Sequence, residues 1–259
     1  MRSAILAALL MCGAGAAHAQ ESAEDLSRQL ANPIANLISV PFQSNFDCCY
    51  GAEDADRFTL NIQPVMPFSL GAKTNLIVRT IVPIVYAEAP SSGGDDEFGL
   101  SDVTQSFFFS PVSKSNLTWG GGVAALWPVA SDHLGSGKWG LGPTALAVNQ
   151  SGKTTLGFLA NHIWSYAGSN TRADVNATFV QPFFVRHLNA ADSIALNTEA
   201  TYDWESAQWT VPINLSYAHL THAGRQPLQL QIGGKYYAAK PSGGPEWGAR
   251  FTVTVPLPK

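Results

Sequence analysis

The chain has 259 residues, of which 46% are hydrophobic and only 13% charged, against about 25% charged in an ordinary soluble domain. Fifteen basic residues stand against nineteen acidic ones with no basic run, which excludes a nucleic-acid surface. No stretch of about 18 apolar residues occurs, which excludes a helical membrane span, yet there is more apolar side chain than a soluble fold of this size conceals.

Arg2, the apolar run at 4–14 and Ala17-His18-Ala19 have the pattern of a secretory leader cut after Ala19. Met11 before Cys12 is not the small residue that lipid attachment needs. Without Arg2 the balance is fourteen basic to nineteen acidic residues, a net charge of −5. Residues 20–34 are expected to form a short periplasmic segment, a lead-in or small plug. A helical turn or two starts at Ser22, with Asp25 as a capping box, and stops at Asn32-Pro33.

Residues 35–259 then alternate between apolar and polar side chains. In 193–204, Ile194, Leu196, Ala200, Tyr202 and Trp204 fall on one parity and Asn197, Glu199, Thr201 and Asp203 on the other. The same period recurs at 208–220 and at 247–257. A period of two marks strands, and segments of about 10–14 residues suit tilted membrane strands rather than the shorter strands of a soluble sheet. Turn signals divide the chain into twelve strands: 36–46, 57–68, 74–86, 99–111, 117–129, 139–149, 154–166, 174–187, 193–204, 208–219, 227–238 and 247–257. The fold class expected is all-β, a transmembrane antiparallel up-and-down β-barrel of about 12 strands. An even number places both termini on one side, expected to be periplasmic.

The connections alternate between tight turns (69–73, 112–116, 150–153, 188–192, 220–226) and a set that includes the longest and most acidic loops (47–56, 87–98, 130–138, 167–173, 205–207, 239–246). Trp127, Trp139, Trp164, Trp204, Trp209 and Trp247 fall beside the second set, as an aromatic belt at an outer interface would, and only Trp119 lies near the other rim. Pro41, Pro64, Pro67, Pro83, Pro128, Pro143, Pro182 and Pro212 fall inside proposed strands, where each removes a ladder N–H and calls for a bulge or kink. Cys48 and Cys49, adjacent in a polar loop, form no disulfide framework. Free thiols at an exposed tip, a vicinal disulfide and a metal site all remain open.

Few motifs suggest catalysis. Residues 147–154 loosely fit a phosphate-binding loop, but no helix follows, so a hairpin turn is the reading. His162, His187, His219 and His222 lack metal-site spacing, His219 and His222 being expected around a turn, and there is no nucleophile elbow. No catalytic residue, metal or cofactor is assigned. Lipid excludes mid-depth charge at about 2–4 kcal/mol for an arginine, so the polar side chains on strands should turn inward. Arg79, Asp102, Asn197, Glu199, Asn214, Gln229, Gln231, Lys235 and Arg250 are the pore-lining candidates; Gln105 shares parity with Phe107 and Phe109, which leaves its side open. Two readings follow: a polar pore with a selective constriction, or an interior salt-bridge network that closes a structural or surface-binding barrel. A lipid hydrolase on the outer wall is a more distant third, since triads assemble in space.

The stretches LNIQPVMPFSL (60–70), GLSDVTQSFFFSP (99–111), LGSGKWGLGPTALA (134–147), LANHIWSYAG (159–168), RADVNATFVQPF (172–183), TYDWESAQWTVPINLSY (201–217) and GGPEWGARFTVTVPLPK (243–259) resemble a bacterial family of outer-membrane β-barrels labelled "transporter", often under a misleading "neuromedin U" name. They are also similar to the phenol-degradation meta-pathway barrel family. Cys48-Cys49 departs from the family pattern, and Lys259 stands where such barrels commonly end on an aromatic residue. The resemblance implies a Gram-negative outer-membrane protein for uptake of small, aromatic or weakly polar solutes, and several of the awkward prolines accommodated in the fold. The expected partners are outer-membrane lipid, an unidentified solute and the barrel-assembly machinery, with no nucleic acid.

Overall fold

The computed structural model describes residues 22–257 apart from 114 and 132. The expected leader at 1–19 and Lys259 lie outside the described residues. Helix α1 (Ala23–Leu30) begins where Ser22 accepts a hydrogen bond from the Asp25 backbone N–H (3.1 Å) while donating to the Asp25 carboxylate (2.6 Å). That exchange satisfies an N–H orphaned by the first turn.

Fifteen strands follow: β1 (Ile38–Tyr50), β2 (Ala55–Ile62), β3 (Val65–Ser69), β4 (Thr74–Ala87), β5 (Glu97–Leu100), β6 (Val103–Pro111), β7 (Leu117–Trp127), β8 (Lys138–Ser151), β9 (Thr154–Gly168), β10 (Asn176–His187), β11 (Asp192–Thr198), β12 (Ala200–Asp203), β13 (Gln208–Ala223), β14 (Gln226–Ala239) and β15 (Trp247–Leu257). The pairs β2/β3, β5/β6 and β11/β12 are single staves interrupted at one or two residues, so the fifteen strands make twelve staves. All pair antiparallel with their neighbours, and β1 meets β15 from Ile38 opposite Leu257 to Cys48 opposite Trp247. The sheet is thus a closed ring without a free edge, and this is the fold of a transmembrane β-barrel.

Alternation sets the two faces. On β13, Ile213, Leu215 and Tyr217 are exposed on the outside while Asn214, Ser216 and Ala218 between them are buried toward the axis. The outer face carries a continuous apolar surface, Phe42, Phe58, Phe158, Phe184, Ile232 and Phe251 among it, suited to hydrocarbon rather than water.

The prolines explain the interruptions. The gap between β2 and β3 is Gln63-Pro64. The gap between β5 and β6 lies opposite Pro83, whose carbonyl accepts from Ser101 N (2.9 Å). Glu199, between β11 and β12, is flanked by Pro182 on one neighbouring stave and Pro212 on the other, where the β13–β14 register also shifts. Each missing N–H leaves a ladder position unpaired, and the stave breaks there. Pro128, expected inside a strand, falls just after β7.

Some expected boundaries shift. The first strand reaches Tyr50 rather than residue 46, so Asp47 and Cys48 belong to the wall and not to a loop. The sulfurs of Cys48 and Cys49 are bonded to each other, the vicinal disulfide among the alternatives above. Strand β13 reaches Ala223, so His219 and His222 lie on a strand and the turn is Gly224-Arg225 alone. Residues 147–154 are a hairpin turning at Gly152-Lys153, with Gly152 at φ 54°, a left-handed conformation that favours glycine.

Candidate functional site: the lumen

The barrel has a termini end, where α1, Ile38 and Leu257 lie with the tight turns, and a loop end with the longer connections. From the termini end inward, α1 lies in the mouth against β8–β10. Ser27, 1% exposed, meets Nδ1 of buried His187 (3.2 Å), and Gln150 Nε2 donates to the Arg28 carbonyl (2.7 Å). Beyond the helix, Asn32 Oδ1 accepts from Ile34 N, turning the chain so that Ile34 enters the barrel. Ile34 is buried among inward-facing Val65, Ile77, Phe108, Leu146, Leu159 and Phe183. Gly120 on β7 has no Cβ there, and one would approach Ile34 Cδ1 to 3.3 Å. Beside this plug an open vestibule of about 1140 Å³ remains, and a smaller cavity of about 150 Å³ leads off it, reaching Gln63, Arg79 and Thr254.

Deeper in the lumen, charged side chains from five staves converge. Arg250 forms a fork with Glu199, Nη1 to Oε1 at 2.9 Å and Nη2 to Oε2 at 2.7 Å, and its Nε donates to Asn45 Oδ1. Lys235 Nζ lies 2.6 Å from Asp47 Oδ1, which also accepts from the Tyr237 hydroxyl (2.9 Å). Arg79 Nη2 donates to Gln63 Oε1 (2.8 Å), and Gln63 Nε2 donates to Gln43 Oε1 (3.2 Å). Asn197 and Gln181 both reach Glu199 Oε1 at 3.5 Å. Asn214, buried beside Lys235 in the register, has no side-chain hydrogen bond among the described residues.

Of the candidates named from sequence, Arg79, Asn197, Glu199, Asn214, Lys235 and Arg250 therefore meet in one cluster. Gln231 points inward nearer the termini end, bonded to Ser216 Oγ (2.6 Å), and Gln229 faces Thr254 and Leu220 there. Asp102 sits apart at the loop end. Its Oδ2 takes two hydrogen bonds from Ser136, from N and Oγ (both 2.6 Å), which draws residues 133–137 over the inner wall. Inward-facing Gly99 leaves room for Ser131 of the same connection. Gln105 lies on the outer wall, its Nε2 donating to Thr80 Oγ1 (3.0 Å).

Asp47, Gln43, Asn45 and Gln63 belong to the cluster and were missed. Gln43, Asn45 and Asp47 share one parity of the first strand; Asp47 was lost by ending that strand at residue 46, while Gln43 and Asn45 lay within it and were passed over. A small plug was one of the two readings of residues 20–34; its seat was missed, although residues 107–109 and 145–148, apolar on both parities, mark staves covered on both faces.

The belt tryptophans Trp127, Trp139, Trp164, Trp204, Trp209 and Trp247 all lie at or near strand ends toward the loop end. Trp127 packs edge-on against Trp139 (5.4 Å), and Tyr202 touches both Trp204 and Trp209. On the same outer face His162 Nδ1 meets Thr178 Oγ1 (2.7 Å), to which Trp204 Nε1 also donates. His219 Nδ1 is bonded to Asp192 (2.6 Å). At the loop end, the Lys138 ammonium 2.7 Å from Asp174 holds that carboxyl below its ordinary range.

No family profile matches the chain, and no curated protein matches it. Among solved structures, an outer membrane channel from Pseudomonas putida F1 is similar over 85% of this chain and 94% of its own, with TM-score 0.66 and 15% identity. The NanC porin is similar over 86% of this chain and 100% of its own, with TM-score 0.51 and 9% identity. At such identities the likeness is one of fold.

Proposed function

We propose that this chain is an outer-membrane channel for the passive passage of small solutes, with both termini on the periplasmic side. The observation that carries this reading is the reversal of polarity across the wall: hydrocarbon-suited side chains outside, and at mid-barrel a cluster of Arg79, Glu199, Lys235, Asp47 and Arg250 inside. Fixed charges of both signs lining a lumen select among solutes by charge. The Pseudomonas putida F1 channel, whose fold this chain shares, supports the reading, as does the resemblance to transporter barrels. The same resemblance extends the proposal to weakly polar or aromatic solutes.

A second reading has its own observation. The plug and the ion-paired cluster fill much of the lumen, as they would in a barrel that only strengthens the envelope or binds at its surface. A hydrolase gains little: among the described residues the serine bonded to a histidine is Ser27, sealed between helix and wall. Refolded protein in planar bilayers and solute-loaded liposomes tests the proposal. Discrete conductance steps with solute flux are expected; neither appearing would leave the structural barrel standing.

A further inference from the structure

The charges of the central cluster do not cancel. Three cations, Arg79, Lys235 and Arg250, face two anions, Asp47 and Glu199, an excess of one positive charge. Lys235 and Arg250 each hold a carboxylate within ion-pair distance. Among the described residues Arg79 holds none, and its hydrogen-bond partner, Gln63, is neutral. Glu199 attracts this guanidinium only through space, and a buried guanidinium with no carboxylate in contact is costly. Its planar fork is matched in geometry by a carboxylate, which can take two parallel N–H···O bonds.

Arg79 also lines the smaller cavity. Its lining sets the polar Arg79, Gln63 and Thr254 among the apolar Leu37, Pro41 and Val65, with Val65 directly opposite Arg79 in the register. Its volume of about 150 Å³ equals roughly five water-sized units, room for a chain of roughly three to five carbons. It opens to the vestibule, with which it shares Asn32, Ala35 and Leu37 in its lining. We propose that Arg79 and this cavity form a binding site for a small organic monocarboxylate, the carboxylate on the guanidinium and Gln63, the hydrocarbon tail against Leu37 and Val65. An inorganic oxyanion would satisfy the charge but leave Leu37, Pro41 and Val65 without an apolar partner.

The site deepens the channel reading by naming a solute class. Equilibrium dialysis of the refolded full barrel in detergent, with butyrate, butyramide and inorganic phosphate as probes, tests it. Saturable butyrate binding is expected, with butyramide at least ten-fold weaker. Arg79→Gln should raise the butyrate Kd at least ten-fold and Arg79→Lys less. Butyramide binding as well as butyrate, phosphate displacing butyrate at lower concentration than butyrate itself, or unchanged binding in Arg79→Gln would overturn the proposal. The butyrate–butyramide comparison on the unaltered protein decides alone if the variants fail to refold. Conductance of the same preparation separates the two claims. Butyrate binding without conductance keeps the site and removes the channel; conductance without butyrate binding does the reverse.

Discussion

Two stretches of the inner wall solve the problem of a filled lumen by opposite chemistry. From β6 to β10, toward the termini end, Phe108, Leu146, Val148, Leu159, Phe183 and Val185 form an inward apolar cluster with Val65 and Ile77 of β3 and β4, and Ile34 of the N-terminal segment packs into it. From the β11/β12 stave round through β15 to β4, the inward side chains are Glu199, Lys235, Arg250, Asp47 and Arg79, and what covers them is mostly each other. Both stretches obey the same period of two, because lipid dictates only what the outer parity must be. The inner parity is free to be greasy or charged, provided an occupant of matching chemistry exists. The apolar stretch therefore depends on a plug supplied from elsewhere in the chain, while the charged stretch depends on partners brought round the ring. Glu199 and Arg250 are 51 residues apart and three staves apart.

The sharpest way to break the charged stretch is Glu199→Gln. It leaves the buried Arg250 guanidinium without its carboxylate, and loss of one partner of a buried pair costs about 3–5 kcal/mol. Denaturant unfolding of the refolded barrel should show the loss, and replacing Arg250 by Met in the same chain should restore most of it. A Glu199→Gln barrel as stable as the parent would mean that the fork contributes nothing. Leu215→Arg probes the boundary between the faces from the outside: Leu215 is 58% exposed on the outer face next to inward Asn214. An arginine there meets hydrocarbon and should cost about 2–4 kcal/mol when unfolding is followed in lipid, with a much smaller penalty in detergent; equal penalties in both would place Leu215 elsewhere.

How far the molecule was legible follows from the same asymmetry. The staves were readable at 193–204 and 208–219 because hydrocarbon enforces alternation locally. The three broken staves were foreshadowed by Pro64, Pro83, Pro182 and Pro212, but a proline states only that a ladder bond is missing, not which neighbour loses it. Glu199 and Arg250 could each be placed inside, whereas their pairing depends on ring order and register. Asp47 was lost to an early strand end. The plug's seat was hidden because nothing in the N-terminal segment sets Ile34 apart from its apolar neighbours Leu26 and Leu30. Its docking surface could be inferred only from the opposite side, where Phe107-Phe108-Phe109 leaves no parity polar.

Ile34→Ala turns that inference into a measurement on the apolar stretch. Ile34 is 3% exposed, and truncating a buried isoleucine costs about 2–4 kcal/mol through lost burial and the cavity left behind. Here the loss falls on docking of the N-terminal segment rather than on closure of the barrel. Protease should cut the chain between Leu30 and Ile38 far faster than in the parent, while the barrel melts at nearly the same temperature. If the channel reading holds, single-channel conductance should rise as well. Unchanged cleavage would show that Ser27–His187 and Gln150–Arg28 hold the plug without its apolar anchor.

The smallest effect is expected where neither stretch is involved. Asp174 lies in the connection between β9 and β10, and Lys138 and Ser165 bind it to the start of β8 and the end of β9. The lysine lowers the carboxyl's pKa from its ordinary 3.8. A depressed carboxyl contributes fully above its unfolded value and loses that contribution only as pH falls through the lowered folded value. Hydrogen exchange of the 169–175 loop should therefore keep one level of protection from neutral pH down to about 4 and drop only below it. Asp174→Asn should show the loosened level at every pH without moving the melting temperature, because the tie is solvent-screened. A melting shift as large as that of Glu199→Gln would mean that the loop-end ties, and not the lumen cluster, hold the barrel closed.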